Sequence, residues 1–117
     1  MSVVLNDNLI KIRLHMHQLI PQEILNKLPN LYDTENTKDP TCHIKLFIPG
    51  SNWTFYILEF SKEDKNTLFT YNIGHDAELG YQSLKELSEV RGPLGLKIEL
   101  DTNFIPTPLS AVKKLYS

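Results

Sequence analysis

The octet "WTFYILEF", residues 53–60, constrains this chain more than any other stretch. Side chains of a strand alternate between the two faces of a sheet, and here both sets are apolar. Trp53, Phe55 and Ile57 fall on one side, and Tyr56, Leu58 and Phe60 on the other. A strand of that kind belongs in the middle of a sheet covered on both faces. Just before it, "CHIKLFI" sets Cys42, Ile44, Leu46 and Ile48 against His43, Lys45 and Phe47. The intervening "PGSN" reads as a four-residue hairpin turn, Pro fixing φ and Gly supplying freedom. After the charged turn "SKEDKNT", the run "LFTYNI" offers a third strand with Phe69, Tyr71 and Ile73 on one face. Links this short predict an antiparallel meander, since parallel strands need long crossovers.

Helical signals flank this sheet. In "PQEILNKLP", Pro21 suits a first helical position, Ile24, Leu25 and Leu28 share a side, and Pro29 closes the segment. "YDTENTKDP" reads as a polar loop, and "ELGY" as a short extended piece with Gly80 at a bend or close approach. Ser83 followed by Glu86 has the spacing of a capping box, and Leu84, Leu87 and Val90 make the buried stripe of a two-turn helix. Arg91 favours the end of that helix, and Gly92 with Pro93 stops it. "GLKIELDTNF" then alternates Leu96, Ile98 and Leu100 inward with Lys97, Glu99 and Asp101 outward. In "IPTPLSAVKKLY", Thr107 is the expected cap, Pro108 the first turn, and Leu109, Val112 and Leu115 the buried side.

The N-terminal stretch carries two patterns. Leu5, Leu9, Ile12, Met16 and Leu19 make a helical stripe, while Ile10, Ile12, Leu14 and Met16 alternate as a strand would. The helical match is longer, so residues 1–18 are expected to form a helical extension and residues 19–117 a single α+β domain. Its expected core is an antiparallel sheet of four or five strands with helices packed mainly on one face.

A chain of 117 residues suffices for one core, burying about 60–70% of its unfolded surface. The formal net charge of -2 lacks the basic excess that nucleic acid or anionic lipid attracts. The single cysteine, Cys42, excludes an intramolecular disulfide and suits a reducing compartment. No apolar run reaches the roughly 18 residues of a membrane span, and no secretory signal begins the chain, so a cytoplasmic location is expected.

Candidate chemistry is sparse. His15, His17, Cys42 and His43 offer ligand atoms, yet zinc needs three or four that converge, and Cys42 and His43 point to opposite faces of a strand. No metal, cofactor or catalytic residue is therefore assigned, and Cys42 reads as a small buried hydrophobe. Glu99 and Asp101 share a strand face at about 6.5–7 Å, a spacing open to acid–base work or a hard cation, though a solvated outer face is the plainer reading. Trp53, Phe55, Tyr56 and Tyr71 offer rings for base stacking, but almost no Lys or Arg lies between them. Phosphate-binding glycine loops and nucleophile elbows are absent from the sequence.

The segments "SNWTFYILEF", "ELGYQSLKEL" and "RGPLGLKIELD", with "LPNLY" at residues 28–32, resemble a bacterial family known as domain of unknown function 2958. The matching pieces run in order through most of residues 19–110. Gln82 stands where the family has an aromatic, and Leu100 where it has an arginine. The resemblance implies an accessory protein of plasmids, conjugative elements and phages, with no reaction or cofactor attached. The expected function is a non-enzymatic, protein-binding inhibitor of a bacterial defence nuclease, of anti-CRISPR or antirestriction type. Its contact surface is placed at Trp53, Tyr81, Glu99 and Asp101, since an acidic face complements a basic nucleic-acid channel. The alternatives are a nucleic-acid-binding accessory factor and a small metal-dependent hydrolase built on Glu99 and Asp101.

Overall fold

The computed structural model describes residues 18–117, so the helix expected over residues 1–18 lies, but for Gln18, outside the described residues, as do His15 and His17. The elements are α1 (Gln22–Lys27), β1 (Thr41–Cys42), β2 (Ile44–Phe47), β3 (Thr54–Phe60), β4 (Thr67–Ile73), β5 (Ala77–Ser83), α2 (Leu84–Glu89), β6 (Glu99–Leu100), β7 (Thr107–Pro108) and α3 (Leu109–Lys114). Five strands form one antiparallel sheet in the order β5-β4-β3-β2-β6, and β1 pairs with β7 in a small second sheet. β3 is its central strand, and residues 55–60 are all buried.

Both faces of the sheet are covered. On the first, Phe55, Ile57, Leu46 and Leu68 pack with Leu25 and Leu28 of the α1 segment and Leu87 of α2. On the second, Tyr56, Leu58, Tyr71 and Ile73 pack with Cys42 and with Leu109 and Val112 of α3. Two of the three helices thus share one face. The α+β architecture follows from a β3 that is apolar on both sides.

Four expectations about side-chain direction need correction, the first two for a local backbone reason. Ile57 pairs with Thr70 but Glu59 with Phe69, so Leu58 is an extra residue in β3. A bulge of that kind turns the following side chains over. Phe60 therefore joins the first face, and Glu59 faces the second. Cys42 also lies on the second face, opposite Ile44 and Leu46, because the strand is interrupted at His43 between β1 and β2. Leu96 and Leu115 are exposed, at 48% and 71%, rather than inward.

The helix ends also differ in detail. Ser83 Oγ accepts from Glu86 N at 3.2 Å, as the capping pattern predicts, and Asn66 adds to the cap by accepting from Lys85 N at 2.9 Å. Thr107 does not cap α3; it sits in β7, and its hydroxyl donates to Ile105 O. The cap comes instead from Asp39, whose carboxylate accepts from Ser110 N at 2.9 Å and Ser110 Oγ at 2.6 Å. These bonds hold the Asp39 carboxyl below its usual range. "ELGY" is no short piece but part of the seven-residue β5. "RGPLG" does more than stop a helix. Gly95 N donates to Gly92 O and Gly92 N to Leu96 O, both at 2.9 Å, closing a hairpin with Gly95 at φ +76.

Candidate functional site

The turn between β2 and β3 is fixed by its own hydrogen bonds. Ile48 N donates to Trp53 O at 3.1 Å, Ser51 Oγ donates to Ile48 O at 2.7 Å, and the same hydroxyl accepts from Trp53 N at 3.1 Å. Gly50, at φ +78, permits the bend. With its backbone pinned, Trp53 lays its indole across Gly74, where an added Cβ would stand 2.4 Å from the ring. The indole also stacks on Phe55 (6.0 Å between centroids, 16° between planes) and meets His75 edge-on. On the other side, a Cβ on Gly92 would fall 2.6 Å from Ile48 Cγ2 and 2.9 Å from Pro49 O. Two glycines thus draw the 92–96 hairpin and the β4–β5 turn tightly against the β2–β3 turn.

Between them lies an open groove of about 850 Å³ on the first face of the sheet. Its apolar surface comes from Ile48, Trp53, Phe55, Leu87 and Val90, with Asn52, His75, Gln82 and Arg91 at its polar positions. The volume lies in the range of small-molecule and peptide-anchor sites. Among the described residues no carboxylate lines it, and Arg91 is its one permanent charge. Arg91 is also held in place, since its Nη1 donates to Glu89 O at 3.0 Å and Val90 O at 3.1 Å at the C-terminus of α2. That uses one nitrogen of a five-donor fork and leaves the Nε and Nη2 donors for a carboxylate.

A second polar centre sits on the opposite face, where the bulge aims Glu59 at the 30–38 loop. Glu59 is 3% exposed and accepts from Tyr32 N and Thr34 N, each at 2.9 Å, and from Thr34 Oγ1. Its two oxygens are engaged with loop donors, so it serves as an anchor rather than a base. It secures Tyr32 at φ +71, a backbone region costly for a residue with a side chain. Tyr81 packs against Phe69 beside it at 5.2 Å, and burial, with Tyr32 next in effect, raises its phenol pKa. Sequence reading missed both centres. A lone acid in an apolar octet was the available signal for Glu59. The groove had none, being assembled from three stretches far apart in the chain.

The structure does not bring Trp53, Tyr81, Glu99 and Asp101 onto one surface. Trp53 is 38% exposed and belongs to the groove on the first face. Tyr81 lies on β5, at one edge of the sheet, and Glu99 on β6, at the other, about 19 Å away over four strand spacings. Asp101 follows Glu99 and is engaged: its carboxylate stands 3.6 Å from Lys45 Nζ and accepts from Asn103 N. Among the described residues no group of three or more His, Cys, Asp or Glu converges as a metal site would require. Of the four aromatics weighed for base stacking, Phe55, Tyr56 and Tyr71 are buried, which leaves Trp53 as the exposed ring. Cys42 is fully buried, and burial, aided by Asp39, pushes its thiol up to about 12. No helix among the described residues is long and apolar enough to cross a membrane.

These features define an α+β scaffold with an open apolar groove on one face of its sheet and a loop anchored by a buried carboxylate. The family model described as a protein of unknown function (DUF2958) matches residues 17–115, and the chain belongs to that family. Neither a curated protein nor a solved structure matches the chain.

Proposed function

We propose that this chain is a protein-binding module without a bond-making role. In this reading the groove around Trp53 receives an aromatic or bulky aliphatic side chain of its partner, with an acidic residue beside it. The main support is the immobilised indole. Trp53 is held over Gly74 and against Phe55 at the wall of an open apolar groove, so little side-chain entropy is lost when a partner covers it. Tryptophan and arginine in such settings are the residue types that dominate binding energy. Arg91 supplies the complement for the acidic neighbour. The partner class carried forward is a defence or nucleic-acid-processing enzyme of the host, on the strength of the mobile-element setting that the resemblance implies.

The test is a selection from a displayed peptide library on the full chain, with the Trp53→Ala protein as counter-selection. The reading expects recovered peptides to share an aromatic or aliphatic anchor next to Asp or Glu. It expects their affinity to fall about tenfold or more in Arg91→Glu, the scale of a lost charge-assisted contact. Peptides that bind wild type and Trp53→Ala equally, or a selection that enriches nothing, overturn it.

A further inference from the structure

A second surface, independent of the groove, lies along the outer edge of β5. The backbone hydrogen bonds show which residues it offers. Leu84 N donates to Asn66 O at 2.9 Å and Gly74 N to Asp76 O at 3.0 Å, and both pairs continue the register Leu68↔Gln82, Thr70↔Gly80, Asn72↔Glu78. Hydrogen-bonded pairs alternate along an antiparallel ladder. Glu78, Gly80 and Gln82 therefore spend their backbone groups on β4, while Ala77, Leu79 and Tyr81 turn theirs outward, as does the amide of Ser83; the Ser83 carbonyl, at the cap of α2, belongs to the helix. Among the described residues no loop or turn backbone group bonds to Ala77, Leu79 or Tyr81.

Edges of this length are usually blunted by lysine, proline or a bulge. β5 has none of these: it reads AELGYQS, and its register with β4 is unbroken. Two apolar side chains, Leu79 and Tyr81, stand on it 44% and 54% exposed. Gly80 at its centre is explained by none of its neighbours among the described residues. Its φ is not left-handed, and an added Cβ would meet Asn72 Nδ2 at an ordinary 3.5 Å. A glycine inside a regular strand weakens it and commonly marks the approach of another backbone.

The strand is also complementary to itself. Turned about Gly80 against a second copy, it sets Leu79 opposite Tyr81, Glu78 opposite Gln82 and Ala77 opposite Ser83, with Gly80 opposite Gly80. No like charges meet. The residues that face each other in the hydrogen-bonding positions are those with outward backbone groups, so β5 pairs along its length, the Ser83 carbonyl excepted. We infer that two copies of this chain associate through antiparallel pairing of their β5 edges about Gly80, making one continuous sheet across the dimer. About six backbone hydrogen bonds form, with Leu79 and Tyr81 of each copy as cross-strand neighbours. One strand pair buries less than the roughly 1,200 Å² of a standard interface, so the dimer is weak and concentration-dependent.

Sedimentation of the full chain from roughly 10 μM to 1 mM tests this, a range suited to a weak interface. The expected result is a monomer–dimer equilibrium. Two double variants then read the register. Leu79→Lys with Tyr81→Lys sets cation against cation across each pair and should raise the dissociation constant by about tenfold or more. Leu79→Glu with Tyr81→Lys sets opposite charges across the same pairs and should keep the dimer. Hydrogen exchange on the wild-type chain gives a reading free of any folding defect: the amides of Leu79 and Tyr81 should gain protection as concentration rises. A monomer throughout the range, equal association by both charge designs, or amides at 79 and 81 indifferent to concentration overturns the inference.

Discussion

Gly74→Ala is the substitution that most directly probes how the groove is built. An ideal Cβ at this position would stand 2.4 Å from Trp53 Cη2 and Cζ3 and 2.6 Å from Cε3. Ordinary carbon contacts lie near 3.5–4.0 Å, so the indole must retreat by about 1 Å along its whole outer edge. It cannot do so by moving its backbone without losing the bonds of Ile48 N to Trp53 O and Trp53 N to Ser51 Oγ. Swinging the ring out instead gives up its stack on Phe55, a contact worth about 0.5–1.5 kcal/mol beyond burial. Overpacking of this kind costs about 1–3 kcal/mol, against about 0.4–1 kcal/mol gained by replacing a glycine whose φ is not left-handed. The expected net loss is about 1–2 kcal/mol. Urea unfolding followed by far-ultraviolet circular dichroism measures it, and the native emission of the chain's one tryptophan reports the displaced ring. Gly80→Ala is the matched control, since its Cβ meets Asn72 Nδ2 at 3.5 Å, and a gain of about 0.5 kcal/mol is expected. The reasoning fails if Gly74→Ala is as stable as wild type with unchanged emission, or if the two alanines behave alike.

Other positions carry sharp expectations. Glu59→Gln keeps the shape but must aim an amide NH₂ at a backbone donor, Tyr32 N or Thr34 N, because both carboxylate oxygens accept; a loss of about 2–4 kcal/mol in chemical denaturation is expected, and a neutral result contradicts the anchor. Cys42, fully buried and with its thiol pushed up to about 12, should resist iodoacetamide at pH 8 in the native chain and react once unfolded, as read by mass spectrometry. Asp64 is lowered from 3.8 to about 2, chiefly by hydrogen bonds from Thr67 and then Asn66. Folding favours its ionised form, so its contribution to the 61–67 turn is complete above 3.8 and is lost as pH falls through about 2. Carboxyl NMR should place its midpoint near 2, and a midpoint at the ordinary value would refute that turn geometry.

How much could be read in advance depended on whether the signal was local. The central position of β3 was legible because every side chain of 55–60 but one is apolar, and the "PGSN" turn because its proline and glycine set the backbone directly. Ser83 as a cap was equally local. Direction failed wherever partner strands decide it. Counting by twos along 53–60 assigns Phe60 correctly only if the ladder has no extra residue, and the bulge at Leu58 becomes visible once Thr70 and Phe69 are seen opposite Ile57 and Glu59. Cys42 was misplaced for the same reason, since a break at His43 leaves no mark in composition. The α3 cap was hidden because Asp39 reaches it across 71 positions of sequence. The groove was illegible as a site: Trp53, Gly74 and Arg91 each have an ordinary local role, and they acquire a shared one only when the sheet and α2 bring three turns together.

The most direct measurement is the emission of Trp53 while the full chain is titrated with a selected peptide carrying an aromatic residue beside Asp or Glu. The account predicts a saturable blue shift in wild type, as the indole passes from water to contact with the peptide. It predicts a markedly weaker response in Arg91→Glu, with thermal unfolding of the two proteins alike. Peptide binding that leaves the indole emission unmoved, or that proceeds equally well in Arg91→Glu, would contradict the assignment of this groove as the recognition site.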